Sequence, residues 1–242
     1  MNIDFGPMTL ECMLQDFLEY DETDTESMLS VASDCGTIIY TPPDPPNEKA
    51  ASLNRVYSEV CAGGPSVNWG MQFKFLYDAM WAVGSAVDVG IFGSSSEVPM
   101  FTVTMRPVYA GAEWSARLAY TGMTDWIEDE FVLGTEYGVR VYSYYNEGLS
   151  ERHDFLEVWS LADGNFSELL AQLDNNMGDV AGMWDGVALG DMNMYSLYRV
   201  GAWYGEDLIQ RVCELYVSCG GDSPVLPMIR NQSGTLGKQL IR

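Results

Sequence analysis

Three separate stretches of this chain alternate apolar with polar side chains. They are Met100 to Met105; Trp114, Ala116, Leu118 and Tyr120; and Val139, Val141 and Ser143 set against Arg140, Tyr142 and Tyr144. Only an extended backbone sends successive side chains to opposite faces, so each stretch reads as a strand with one face on a core and the other toward solvent. Half-buried strands of this kind belong to antiparallel sheets. Phe155 to Leu161 and Met192 to Tyr204 have the same strand-like composition, while Trp69 to Gly90 is so continuously apolar that a buried helix or two strands fit equally.

Other segments space their apolar residues as helices do. Leu10, Met13, Leu14, Phe17 and Leu18 predict a short amphipathic helix, and Leu53, Val56, Tyr57 and Val60 predict another within Lys49 to Cys61. Asn165 with Glu168 three residues on has the form of a helix N-terminus leading into Leu169, Leu170 and Leu173. Glu206 to Cys219 carries Leu208, Ile209, Val212, Leu215 and Tyr216 on one helical face, with Gly220 and Gly221 as the stop. The expected class is therefore α+β: a mainly antiparallel sheet or sandwich covered by a few helices, with extended N- and C-terminal arms.

Thr41 to Pro46 contains four prolines around Asp44, which force an extended or polyproline-like segment. It separates residues 1–46, an acidic arm with its short helix, from a globular body over residues 47–222. Residues 223–242 contain two prolines and little periodicity and read as a second, extended arm. With 242 residues, near half of them apolar, the chain is long enough to bury a sizeable core.

The charge is lopsided. Against 35 Asp and Glu stand 12 Lys and Arg, a formal charge of −23, so direct binding of a phosphate backbone or an anionic membrane is not expected. Residues 1–48 hold eleven acids and no Lys or Arg, whereas residues 223–242 hold Arg230, Lys238 and Arg242 and no acid. The N-terminal residues lack the basic start and apolar run of a signal peptide, which leads to an expectation of cytoplasmic synthesis, with residence there or in an assembled particle such as a virion. Five cysteines at scattered spacings, Cys12, Cys35, Cys61, Cys213 and Cys219, argue for reduced thiols.

Motifs for chemistry are sparse. The single histidine, His153, lies in the polar stretch Ser150 to Asp154 and reads as a solvated surface residue. No phosphate-binding glycine loop and no Cys/His zinc pattern occurs, so no catalytic, cofactor-binding or metal-binding residue and no cofactor is expected. The series Asp174, Asp179, Asp185 and Asp191 lacks the pattern of a calcium loop, and Asp125 to Glu130 reads as a solvated turn.

These features point first to a non-enzymatic assembly subunit, such as a viral or phage coat, tail or other shell component. Its partners would be copies of itself or other shell proteins. The C-terminal arm would dock through Arg230, Lys238, Arg242, Ile229, Leu236 and Leu240. Two alternatives stand beside it: an acidic mimic of nucleic acid that inhibits a basic DNA-processing partner, and a glycan-binding or glycoside-active protein whose carboxylate pairs and exposed rings meet a sugar.

Overall fold

The computed structural model describes residues 10–11, 21–22, 29–32, 35–40, 49–56, 69–78, 86–93, 99–108, 113–119, 126–127, 129–146, 151–178, 189–198 and 208–218. In chain order the strands are β1 (Leu10–Glu11), β2 (Asp21–Glu22), β3 (Leu29–Ala32), β4 (Cys35–Tyr40), β5 (Lys49–Val56), β6 (Trp69–Asp78), β7 (Ala86–Gly93) and β8 (Pro99–Pro107). They continue with β9 (Glu113–Ala119), β10 (Phe131–Val132), β11 (Glu136–Asn146), β12 (Glu151–Ala162), β13 (Asn165–Gly178), β14 (Leu189–Tyr198) and β15 (Leu208–Ser218).

The strands form two sheets. The eight-stranded sheet runs β13-β12-β11-β6-β15-β4-β3, with β1 also paired to β15, and the seven-stranded sheet runs β10-β9-β8-β7-β14-β5-β2. Every ladder is antiparallel. Strands distant in sequence sit side by side, β6 between β11 and β15 and β14 between β7 and β5, so the chain crosses repeatedly between layers as a jelly-roll-like β-sandwich.

The alternation read from sequence decides which faces meet. Phe73, Phe75, Tyr77, Val139, Val141 and Leu156 of the larger sheet, and Val87, Val89, Val103, Met105 and Leu118 of the smaller, are almost wholly buried. Their opposed faces exclude water between the layers, the dominant favourable term for such a domain. Aromatic rings cross the gap: Trp114 on β9 meets Phe75 on β6 edge-to-face at 5.0 Å between centroids, and Phe131 lies 4.9 Å from Trp114.

The α+β expectation is overturned, because no helix occurs among the described residues. The Glu206 to Cys219 segment is strand β15, and a bulge explains its helical spacing. Glu214 has a positive φ of 50°, and the ladder with β6 shifts between Cys213 and Tyr216. Gln210 and Val212 point inward before this bulge and Leu215 after it, so one extra residue turns a two-residue repeat into a three-residue step.

Asn165 and Glu168 likewise belong to a strand, β13. Asp163 and Gly164, at φ 51° and 76°, form the two-residue turn of the β12–β13 hairpin, and Asn165 Nδ2 donates to the Asp163 carbonyl at 3.1 Å. An Asp-Gly pair between apolar runs is a strong hairpin signal that outranks the capping pattern. Lys49 to Val56 is strand β5, and Trp69 to Gly90 supplies β6 and the start of β7.

Strand β4 pairs with β15 and is bonded to it by a Cys35–Cys213 disulfide, overturning the reduced-thiol expectation for these two residues. Their side chains are direct cross-strand neighbours although 178 positions apart in sequence. Of the predicted helix, Leu10 is in strand β1 and Met13, Leu14, Phe17 and Leu18 lie outside the described residues. Thr41 to Pro46 and residues 223–242 also lie outside them, including Arg230, Lys238, Arg242, Ile229, Leu236 and Leu240.

Candidate functional site

The second set of alternating residues on the larger sheet faces away from the core, yet much of it is buried. Glu157 on β12 is fully buried, and Tyr142 on β11 and Trp159 on β12 are nearly so. Register places Arg140 opposite Glu157, and Glu157 opposite Gln172 on β13, so three neighbouring strands converge on one carboxylate.

Glu157 is held by three donors. Tyr142 Oη donates to its Oε1 at 3.0 Å, Gln172 Nε2 donates to the same oxygen at 2.8 Å, and Trp159 Nε1 donates to Oε2 at 2.9 Å. The Arg140 guanidinium adds a cation 3.7 Å from Oε2 and sits 5.2 Å from the Trp159 ring centre. A buried carboxylate is tolerable only when paired and hydrogen-bonded in this way. Burial, and then the adjacent charge of Glu157, push the Tyr142 hydroxyl far above the usual phenol range, so it stays protonated and serves as a donor.

The hairpin tip closes over this floor. Register shifts between β12 and β13 near Trp159 bend the strands. Phe166 consequently lies on the backbone of Gly138, with its ring also 5.3 Å from the Arg140 guanidinium, and Gly164 approaches the amine of Lys74. Phe166 itself remains half-exposed.

Around the floor runs a rim of paired charges. Lys74 bonds Glu214, the residue turned outward by the bulge, and Arg211 Nη2 meets Glu136 Oε1 at 3.1 Å. His153 Nδ1 lies 2.7 Å from Asp174 Oδ1, and its ring stacks on Phe155 at 5.8 Å with an interplanar angle of 17°. Gln172, Asp174 and Asn176 stand two residues apart on the outer face of edge strand β13, about 6.6 Å from one to the next, and all three are exposed. Lys74 and Arg211 are each paired with one carboxylate, whereas His153 has two near it, Asp174 and Glu151.

In chemical terms, the floor can orient and bind, and its phenol, held in the neutral form, serves as a hydrogen-bond donor. The rim pair can move a proton. With Nδ1 engaged by Asp174, the Nε2 edge of His153 is directed to its surroundings, with Glu151 Oε2 at 3.7 Å, beyond a hydrogen bond.

No family model and no curated protein matches the chain. The chain is similar to several solved structures at low identity. An alginate lyase from Pseudomonas aeruginosa matches at 12% identity and a TM-score of 0.46, over 86% of this chain and 90% of that one. The catalytic domain of a GH131 β-glucanase from Podospora anserina matches at 8% and 0.46, over 77% and 72% respectively. Peanut lectin matches at 8% and 0.46, over 81% of this chain and 89% of its own.

His153, expected as a solvated loop residue, lies within β12 and joins the rim. Of the Asp174 to Asp191 series, Asp174 is on β13 of the larger sheet and Asp191 on β14 of the smaller, while Asp179 and Asp185 lie outside the described residues. Of the Asp125 to Glu130 cluster, Asp129 and Glu130 are exposed. Sequence reading passed over Glu157, Tyr142, Gln172 and Arg140. Their one visible signal was a Glu at position 157 and an Arg at position 140, both in otherwise strand-like runs where a charge needs a partner.

Proposed function

We propose that this chain binds a glycan along the outer face of β11, β12 and β13, and that His153 with Asp174 is the pair able to transfer a proton to or from it. One observation carries the reading. A half-exposed ring, Phe166, and the exposed row Gln172, Asp174 and Asn176 share a face whose floor is a rigid polar network centred on Glu157. A sugar presents an apolar ring face and a fringe of hydroxyls. It is met by an aromatic ring together with planar amide and carboxylate groups, each fixed by a second layer of hydrogen bonds.

The reading rests on these side chains and not on the low-similarity likenesses. The shell-subunit expectation draws no support from the site, because the arm residues it depends on lie outside the described residues.

A glycan array followed by a screen for polysaccharide cleavage tests the reading. The purified protein is expected to retain at least one glycan class, with affinity falling about tenfold or more in Phe166→Ala and Gln172→Ala. If the bound glycan is cleaved, His153→Gln should slow turnover by about a hundredfold while leaving binding within a few-fold. Absence of any retained glycan, or binding indifferent to both Phe166→Ala and Gln172→Ala, would overturn it.

A further inference from the structure

A separate cluster lies on the outer face of the smaller sheet. Arg106 on β8 and Arg117 on β9 are diagonal neighbours in the ladder, since Thr104 pairs with Arg117 and Arg106 with Ser115. The segment carrying Trp126 is pinned along β9: Ile127 N donates to the Ala116 carbonyl at 2.9 Å, and Ser115 Oγ donates to the Ile127 carbonyl at 3.1 Å. Ile127 points into the core, so its neighbour Trp126 is delivered to the outer face. There both guanidinium groups meet its ring, Arg106 Cζ at 3.8 Å and Arg117 Cζ at 4.5 Å from the centroid.

Two like charges on one indole, in a chain of net charge −23, call for an account. Among the described residues neither arginine makes a salt bridge, and Arg117 Nε is buried without a hydrogen-bond partner. Asp88 on β7 shares this face, but it accepts from Thr104 Oγ1 and reaches Arg117 only through its charge. Burial and the charge of Arg117 both push the Arg106 guanidinium down, so the two cations repel each other across the indole.

We infer that Arg106, Arg117 and Trp126 form a binding site for an oxyanion, the carboxylate or sulfate group of an acidic ligand. Guanidinium forks match the two in-plane oxygens of such a group, and the indole fixes both forks from one side. Pre-positioned donors lower the ordering cost that two free arginine side chains would otherwise impose on binding. The site is on the opposite sheet from the proposed glycan face and stands independently of that reading.

The test follows the indole N–H resonance of Trp126, assigned by its loss in Trp126→Phe, during titration with sodium sulfate or sodium glucuronate. Sodium chloride and glucose serve as controls at matched ionic strength. A saturable shift is expected with at least one of the two oxyanions, weakened tenfold or more in Arg106→Gln, an exposed position where folding is not at stake. Sulfate binding as tightly as glucuronate assigns the site to the oxyanion alone, and tighter glucuronate assigns it to an acidic sugar. A shift that never saturates, that chloride reproduces, or that Arg106→Gln leaves unchanged overturns the proposal.

Discussion

The ring of Phe166 rests on the bare backbone of Gly138, so closely that a Cβ at Gly138 would come within 2.5 Å of the ring. The contact holds the β12–β13 hairpin tip down over the polar floor and keeps Phe166 beside Arg140. Gly138→Ala should therefore lift the ring and open the site. The expected cost is about 1–3 kcal/mol in chemical denaturation, accompanied by loss of whatever glycan the wild-type protein retains. Unchanged stability and binding would mean that the hairpin tip is not fixed by this contact.

Asp154 faces the interior of the sandwich, where Arg152 Nε donates to its Oδ1 at 2.9 Å. Burial raises its carboxyl above the ordinary aspartate range, and the charge and hydrogen bonding of Arg152 only partly oppose this. A raised folded-state value means that the folded protein holds the proton more tightly than the unfolded chain. The stabilisation from this group is thus complete below the ordinary aspartate range and is lost as pH rises through the elevated value. Melting temperatures of wild type and Asp154→Asn measured from about pH 3 to pH 7 should show the wild type losing ground to the variant as pH increases. Parallel curves would contradict the assignment.

The Cys35–Cys213 bond ties β4 to β15 across 178 positions of sequence. Closing so long a loop restricts the unfolded chain, and removing the bond should cost about 2–4 kcal/mol. A reducing agent is expected to lower the melting temperature of the wild type and to have no effect on the Cys35→Ser, Cys213→Ser double variant. Equal sensitivity of both proteins would show that this bond contributes nothing.

Strand identity was readable wherever alternation ran unbroken. Val103 and Met105, Trp114 to Leu118, and Val139 with Val141 are inward-facing at every second position, as their spacing requires. Reading failed where a bulge interrupted the repeat, at Glu214 and in β13 opposite Trp159, because one inserted residue converts the period of a strand into the local spacing of a helix. The Asp163-Gly164 turn was legible and outweighed by a capping pattern that proved fortuitous.

The candidate sites lay further from view. Tyr142, Glu157 and Gln172 are separated by 15 positions at each step, and Arg106, Arg117 and Trp126 by 11 and 9. Nothing in one dimension links them, since a strand ladder brings together residues according to register and not according to sequence interval.

The sequence by itself determined the apolar alternation wherever a strand ran without a bulge, together with the net charge. Tertiary structure alone decided which strands became neighbours, and so which outward-facing charges would be buried with partners and which, like Arg106 and Arg117, would be left beside each other. The reason is physical: side-chain period is a local property of extended backbone, whereas pairing depends on hydrogen bonds between segments more than a hundred residues apart, as in β6 against β15.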